Sequence, residues 1–231
     1  MTAERILVLC DFDGTASVVD VGNELLDRFT GNGWEEIDRD YCEGRIGSRV
    51  AYARIAPLFR GDRDGMLAYV FEKASLDPFF KDFHDYCTQV GMDLKILSDG
   101  LDFYIEAILR KSGLSEVEYF ANSVTFHANG RLSIEFPQPN PDCGKCGNCK
   151  SRIVARYRPL YDRIIYIGDS YSDVCPAKHA DLVFAKGILF EKCSGNGTPC
   201  IPYNHFGDIQ NNLERRIRTG FRDGWPRTHA G

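Results

Sequence analysis

The chain has 231 residues, and its 28 lysines and arginines against 33 aspartates and glutamates give a formal net charge of −5. Hydrophobic residues make up 43% of it, which is enough for a sizeable core, so a mainly disordered chain is excluded. No apolar run approaches the ~20 residues of a membrane span, and no basic block is present to bind nucleic acid or an anionic membrane.

The beginning of the chain bears on its cellular location. The first five residues include Glu4, and the apolar stretch behind them runs directly into Asp11. Such a beginning is not typical of a secretory signal, so we expect a cytoplasmic protein. We expect a monomer or a homodimer. The mild acidity does not exclude a small phosphorylated metabolite as a partner, because one local cationic site can outweigh the net charge.

The apolar runs predict a sheet that is covered on both faces. Ile6–Cys10 is apolar throughout rather than alternating with polar residues, which is typical of a strand in a parallel sheet. Similar runs lie at 94–97, 164–167 and 182–185, and residues with helical spacing lie between them at 103–109 and 153–157. Strands that alternate with helices predict an α/β fold with an open parallel sheet.

Two stretches interrupt this alternation. Residues 16–75 carry apolar side chains at helical spacing and are far longer than a simple crossover, so we predict a helical cap there. Within 119–136, two alternating runs flank Asn129-Gly130, a favoured turn, which predicts a small β-hairpin flap. The predicted domains are a core at 1–15 and 76–231, which includes the hairpin, and a cap at 16–75.

Polar residues follow the buried strands or begin a helix at four places. They are Asp11-Phe12-Asp13-Gly14-Thr15, Ser98-Asp99-Gly100, Lys150 and Gly168-Asp169-Ser170-Tyr171-Ser172-Asp173. Because ligands of open α/β sheets bind beyond the carboxyl ends of the strands, we expect these residues to meet there. Four of their aspartates would repel one another unless a cation lies among them, namely Asp11, Asp13, Asp169 and Asp173. Oxygen ligands suit Mg²⁺. With a lysine and a hydroxyl beside them, the set predicts phosphoryl transfer.

Each of these motifs alone has a simpler interpretation, since Asp-x-Asp or Gly-Asp-Ser is usually a turn or a helix cap. In combination and in this order they resemble the four signature motifs of the haloacid dehalogenase-like hydrolases over about residues 6 to 187. The helical insertion after the first motif resembles the branch that holds phosphoserine phosphatase. The resemblance implies a Rossmann-like core, a helical cap, Mg²⁺ and an aspartyl-phosphate intermediate.

The resemblance also implies roles for individual residues. Asp11 is the expected nucleophile, and Asp13 the general acid and then base. The expected Mg²⁺ ligands are the carboxylates of Asp11 and Asp169 and the Asp13 carbonyl, while Asp173 supports the metal waters or Lys150. The residues expected to bind the phosphate are Ser98 and Lys150, together with Thr15, Asp99 and Gly100. An acid at Asp99 departs from the commoner glycine and should disfavour a dianion unless it points away.

The cap offers candidates for substrate selection. Asp20 lies where the cap begins, and in phosphoserine phosphatase an acid at the matching place meets the amino group of the substrate. Here Asp20 either does so or caps a helix that starts near Val21. Arg49 is a second candidate, with Arg45 and Arg54 beside it, although such residues are more often solvated.

Cys143, Cys146 and Cys149 form a run that allows three interpretations. The three thiols could hold a second metal, zinc, with His127 or Cys175 as a fourth ligand. They could instead form one disulfide, or be a tight loop that presents Lys150. The six other cysteines are scattered and read as small apolar residues.

The sequence therefore predicts a Mg²⁺-dependent phosphomonoesterase. Ser98-x-Gly100-x-Asp102-Phe103, the hairpin and Cys146-Gly147-x-Cys149-Lys150 are similar to the small group of methionine-salvage phosphatases. An alternative substrate is phosphoserine or another phosphate ester that bears an amino group. Two alternatives from other classes are a signalling module that keeps a phosphoryl group on Asp11 and a zinc-binding interaction protein.

Overall fold

A computed structural model describes residues 4–219 of the chain. The predicted location was based in part on residues 1–3, which lie outside the described range, as do residues 220–231 of the predicted core. Between residues 4 and 219 there is no helix of the length and apolarity that crossing a membrane requires.

The core is one seven-stranded sheet in the order β4-β3-β2-β1-β5-β6-β7. Its strands are β1 Ile6–Cys10, β2 Met92–Leu101, β3 Glu118–Phe126, β4 Leu132–Glu135, β5 Arg163–Gly168, β6 Leu182–Ala185 and β7 Ile201–Pro202. All neighbours are parallel except β3 and β4, which are antiparallel. The α/β fold predicted from the sequence is confirmed.

Helices cover both faces of the sheet, which explains the unbroken apolarity of β1. The helices are α1 Val21–Phe29, α2 Trp34–Cys42, α3 Ser48–Ile55, α4 Arg63–Lys73, α5 Phe80–Gln89, α6 Asp102–Lys111, α7 Lys150–Tyr157, α8 Val174–Ala177, α9 Gly187–Asn196 and α10 Phe206–Arg218. Ile6, Val8 and Cys10 pack into a core with α5, α6 and α10, whereas Leu7 and Leu9 pack into a second core with α7, α8 and α9.

The helices α1–α4 form the stretch predicted to be a cap, between β1 and β2. The two connections to it run side by side, because Val18 donates its amide to the Ser75 carbonyl at 2.9 Å and Ser17 pairs with Leu76 as an isolated bridge. The chain therefore leaves and rejoins the sheet at one place, close to the predicted boundaries. The division into domains stays a prediction.

The hairpin belongs to the main sheet. β3 pairs with β2 through Asn122 and with β4 from Ser123 onward, so the predicted flap is an extension of the sheet edge. At its tip, the Gly61 amide of the cap segment donates to the Gly130 carbonyl at 3.1 Å. The hairpin thus holds the cap segment from one side.

Candidate active site

The central strands bring the predicted motifs to one edge of the sheet. Cys10 lies level with Ile96 of β2 and with Ile167 of β5, so the next residues of all three strands meet. Asp11 is tied to this position because its amide donates to the Ile167 carbonyl at 2.9 Å. The site therefore lies beyond the carboxyl ends of β1, β2 and β5, where an open α/β sheet places its ligands.

The turn after Asp11 depends on a glycine and fixes Asp169. Gly14 has φ +69°, and a Cβ there would lie 2.7 Å from Oδ2 of Asp169. The next residue, Thr15, is fully buried and donates its hydroxyl to Asp169 Oδ1 at 2.8 Å. The Thr15 hydroxyl therefore orients a carboxylate, and its predicted phosphate-binding role stays a prediction.

Lys150 is a buried cation that begins α7 and is only 3% exposed. Its Nζ donates to Oδ1 of Asp11 at 2.6 Å, to Oδ1 of Asp173 at 2.7 Å and to Ser172 Oγ at 2.9 Å. Burial alone would lower the pKa of Lys150, but the two carboxylates hold it well above its ordinary value. The ammonium is therefore charged, and it lies beside the predicted nucleophile.

Asp173 is saturated by donors from the protein. Oδ1 accepts from Lys150 and from the Tyr166 hydroxyl, each at 2.7 Å, and Oδ2 accepts from the amides of Asp169 and Ser170, each at 3.0 Å. Burial would raise the pKa of this carboxyl, but Lys150 and these donors lower it. Of the two roles predicted for Asp173, support of the metal waters or of Lys150, the contacts favour support of Lys150.

Three carboxylates lie close enough together to hold a divalent cation. Oxygen atoms of Asp11, Asp169 and Asp173 lie within 4.8 Å of one another. Among the described residues, no donor reaches Oδ2 of Asp11 or Oδ2 of Asp169. Burial and then the charge of Asp173 raise the pKa of Asp11 well above its ordinary value and that of Asp169 to about 6. Lys150 pairs with Asp11 and Asp173 but makes no hydrogen bond to Asp169, so one ammonium faces three carboxylates and the cluster keeps an excess of negative charge. Hard oxygen ligands suit Mg²⁺ at such a site.

This electrostatic conflict predicts a stability that depends on pH and Mg²⁺. The pKa of Asp169 is about 6 in the folded chain against about 3.9 when unfolded, so the folded state binds more protons between these values. Without metal, we expect the thermal midpoint to fall as the pH rises from about 5 to about 7.5. Mg²⁺ should raise the midpoint more at the higher pH, because it replaces the lost protons.

Thermal melts at both pH values, with NaCl at matched ionic strength as the control, measure this effect. An equal gain from Mg²⁺ and NaCl would contradict a bound cation.

The Asp13 carboxylate, predicted to transfer protons, is held by three donors. Its Oδ2 accepts from the Tyr104 hydroxyl at 2.8 Å and from Ser98 Oγ at 3.2 Å, and its Oδ1 accepts from the Val21 amide at 3.1 Å. Burial, followed by the charge of Asp20, raises the pKa of Asp13 to about 7. The carboxylate lies outside the metal trio, so a metal role for Asp13 is limited to its backbone carbonyl.

Tyr104 was missed by sequence reasoning. It lies on α6, fully buried, one residue beyond the Asp102-Phe103 pair that drew attention to this stretch. The spacing of apolar residues indicates a buried face of α6. It does not indicate that a tyrosine hydroxyl of this helix reaches an aspartate 91 residues away.

Replacing Tyr104 with phenylalanine should lower kcat about tenfold with little change in KM. The phenyl ring preserves the packing, but Asp13 loses a strong hydrogen bond that fixes its orientation. Steady-state kinetics measure the split, with Tyr86→Phe on α5 as the control that should leave both constants unchanged. An unchanged kcat in the Tyr104 variant would remove this hydroxyl from the site.

Gly100 and Ser98 pack directly against the Asp13 carboxylate. The Gly100 amide donates to Ser98 Oγ at 2.8 Å, and a Cβ on Gly100 would lie 2.0 Å from the Tyr104 hydroxyl and 2.4 Å from Asp13 Oδ2. No larger residue fits at this point without moving both groups. The predicted phosphate-binding segment therefore faces the reacting carboxylates.

Asp99 is held by the loop that precedes Lys150. Its Oδ1 accepts from the Asn148 amide at 2.9 Å and from Asn122 Nδ2 at 3.1 Å. The carboxylate therefore links β2 to β3 and to the loop. The predicted phosphate-binding role of Asp99 stays a prediction.

The cysteine run lies in the same loop. All three thiols are free, and the described part of the chain offers the three aspartates, not these sulfurs, as a metal-sized cluster. The loop is held to the cap because the Gly147 amide donates to Ser48 Oγ at 3.0 Å. It is held to the core because Asn148 Nδ2 donates to the Ser98 carbonyl at 2.6 Å. The loop therefore presents Lys150, and the three interpretations of the cysteine run stay open.

A cavity of about 240 Å³ separates the cap from the core above these residues. The carboxylates that line it belong to Asp11, Asp13, Asp20, Asp38 and Asp99. The larger apolar side chains of the cap that line it are Leu25, Leu26, Ile55 and Phe59. Within residues 4–219, no lysine or arginine is among the lining residues.

The predicted selecting residues of the cap differ in position. Asp20 lines the cavity and also caps α1, since its carboxylate accepts from the Asn23 amide at 2.8 Å. Arg49 does not line the cavity, and its guanidinium lies over the Phe136 ring, 5.7 Å from the centroid. These contacts do not support the predicted role of Arg49 in substrate selection, which stays a prediction. Arg45 and Arg54 likewise pair with Asp40 outside the cavity.

Comparison with known proteins gives a consistent family. A family model described as Putative Phosphatase matches residues 6–187. A 2-hydroxy-3-keto-5-methylthiopentenyl-1-phosphate phosphatase from Brevibacillus brevis is 30% identical over 210 residues, which cover 90% of this chain and 94% of that protein. A protein of the same name from Bacillus cytotoxicus is 29% identical over 215 residues, covering 92% and 97%.

Solved structures give the same fold at lower identity. A phosphoserine phosphatase that carries an analogue of its phospho-aspartyl intermediate superposes with a TM-score of 0.70 at 20% identity, over 91% of this chain and 99% of that one. A substrate-bound phosphoserine phosphatase gives 0.69 at 19% identity, with the same coverage. These similarities show a shared fold.

Proposed function

The chain belongs to the putative phosphatase family of haloacid dehalogenase-like hydrolases, and we propose that it hydrolyses 2-hydroxy-3-keto-5-methylthiopentenyl-1-phosphate in methionine salvage. It is a phosphoric monoester hydrolase. The observation that carries the finer proposal is the pairing of Asp11 and Lys150 at 2.6 Å below a cavity with apolar walls. The cytoplasmic location and the oligomeric state stay predictions.

In the proposed reaction, one carboxylate is the nucleophile and another is the general acid and base. Asp11 attacks phosphorus and forms an aspartyl phosphate, while Asp13, protonated in part near neutral pH, donates its proton to the leaving oxygen. Asp13 then removes a proton from the water that hydrolyses the intermediate. Lys150 neutralises charge that develops on the phosphoryl oxygens. Mg²⁺, held by Asp11, Asp169 and the Asp13 carbonyl, would supply Lewis-acid neutralisation of the same oxygens.

The walls of the cavity support a leaving group without negative charge. Its five carboxylates would repel a substrate carboxylate, and no lining lysine or arginine among the described residues could neutralise one. The side chains of Leu25, Ile55 and Phe59 offer an apolar surface that suits a methylthio tail. A cavity of about 240 Å³ also suits a small metabolite.

The same carboxylates favour a second candidate, a phosphate ester that bears an amino group. Asp20 and Asp38 both line the cavity on the cap side and could face an ammonium. These two aspartates would bind a cationic leaving group by charge, whereas the apolar side chains of the cap would bind an uncharged one.

Turnover of a matched set of esters tests these proposals. The set is the keto-enol ester of methionine salvage, aminoethyl phosphate and phosphoserine, each with Mg²⁺ at neutral pH. We expect the highest kcat/KM for the keto-enol ester and the lowest for phosphoserine, because phosphoserine carries a carboxylate. A preference for aminoethyl phosphate would favour the second candidate. Release of less than one phosphate per chain from every ester would instead favour a phospho-acceptor module.

A further inference from the structure

Two tyrosines of the cap project into the cavity without a partner. Tyr41 lies near the end of α2 and Tyr52 lies on α3, and both line the cavity. Within the described chain, no group hydrogen-bonds to either hydroxyl. In contrast, the buried hydroxyls of Tyr104 and Tyr166 at the same site each donate to an aspartate. Both tyrosines line the cavity, so their unpaired hydroxyls are available to hydrogen-bond with a ligand there.

The surroundings of Tyr52 define which kind of group it can meet. Burial raises the pKa of its hydroxyl well above the ordinary value, and the charges of Asp99, Asp13 and Asp20 add to this effect. Burial and the charge of Asp99 raise the pKa of Tyr41 in the same direction. Both hydroxyls therefore keep their protons and can act as donors. A negatively charged acceptor would be repelled by the same carboxylates, so the acceptor should be an uncharged oxygen.

We propose that Tyr52, with Tyr41 beside it, is a specificity-determining residue that donates a hydrogen bond to an uncharged oxygen on the carbon next to the phosphate-bearing carbon. Tyr52, Asp13 and Asp20 line the same cavity, and Asp13 is the proposed proton donor to the ester oxygen. An oxygen next to the ester linkage is therefore the part of the leaving group that falls within reach of Tyr52. The inference rests on the proposed phosphatase function and adds the feature by which the cap recognises its substrate.

A pair of esters that differ in one oxygen tests the proposal. Hydroxyacetone phosphate has a carbonyl on the carbon next to the phosphate-bearing carbon, and propyl phosphate lacks it. We expect wild-type protein to prefer hydroxyacetone phosphate, and Tyr52→Phe to lower the ratio of the two kcat/KM values about tenfold, the value of one hydrogen bond. The matched control is Tyr69→Phe on α4, whose hydroxyl donates to Glu24 at 3.1 Å and does not line the cavity. That variant should leave the ratio unchanged.

The results that overturn the inference differ from those that overturn the proposed function. An equal loss on both esters would make Tyr52 a structural residue, and an unchanged ratio would remove its hydroxyl from substrate recognition. If wild-type protein hydrolyses phenyl phosphate but does not distinguish the two esters, the inference fails while the phosphatase proposal stands. If the ratio changes as expected but the keto-enol ester is not hydrolysed, the substrate proposal fails and the role of Tyr52 stands.

Discussion

Replacing Asp11 with asparagine is expected to lower kcat by on the order of 10⁴-fold or more, because the nucleophile is lost. The fold should be retained, since an amide oxygen can still accept from Lys150 Nζ at the place of Oδ1. The metal-free protein should even gain stability near neutral pH. Burial and Asp173 raise the pKa of Asp11, so its ionised form opposes folding there, and a neutral amide removes that cost. Phosphate release and thermal melts on the same preparation measure both effects.

Asp13→Asn is the matched variant for this experiment. This variant keeps the nucleophile but lacks the acid and base. With an ester that has a good leaving group, it should form the aspartyl phosphate and hydrolyse it slowly. Acid quenching with a ³²P-labelled ester should trap label on the Asp13 variant and none on the Asp11 variant. Label on the Asp11 variant, or rapid multiple turnover by either one, would contradict the assigned roles.

Replacing Lys150 with alanine should impair both stability and catalysis. The ammonium is the cation between Asp11 and Asp173, which are both buried, and its removal leaves two carboxylates facing each other. Breaking a buried ion pair in this way costs about 3–5 kcal/mol in the free energy of unfolding. The loss of one positive donor to the phosphoryl group should lower kcat/KM by about 10²–10³-fold. Denaturant unfolding and steady-state kinetics measure the two losses.

Lys145→Ala is the control, because Lys145 is an exposed lysine in the same loop. It should change neither the free energy of unfolding nor kcat/KM by a measurable amount. Mg²⁺ should recover part of the stability of the Lys150 variant, since a divalent cation can neutralise the same carboxylates. A Lys150 variant with normal stability in the absence of metal would show that the ion pairs are not needed to hold the acidic cluster together.

The sequence predicted the fold class and the four strands that surround the site. Unbroken apolar runs such as Ile6–Cys10 leave few alternatives to a strand covered on both faces, and the two cores of the structure divide that run residue by residue. The sequence did not indicate β7, a strand of two residues, because so short a segment has no periodicity. It also ended β2 too early, since that strand continues through Ser98 with a shift in register.

For the site, the sequence predicted which residues meet but not how each side chain is used. Asp11, Asp13 and Asp169 follow strands, Ser98 lies near the carboxyl end of β2, and Lys150 begins a helix. Chain order with sheet topology is enough to bring them to one edge.

The tertiary structure alone decided the rest. Three of its contacts are hydrogen bonds, between Thr15 and Asp169, between Asp99 and Asn148, and between Tyr104 and Asp13. The fourth is the contact of the Arg49 guanidinium with the Phe136 ring. Each of these contacts except the first joins residues 49 to 91 positions apart, and the first joins residues 154 apart. The direction of a side chain depends on the packing of its own element against neighbours that are distant in the chain. Local patterns therefore determined the positions of the reactive groups, and the packing of cap, hairpin and loop determined their partners.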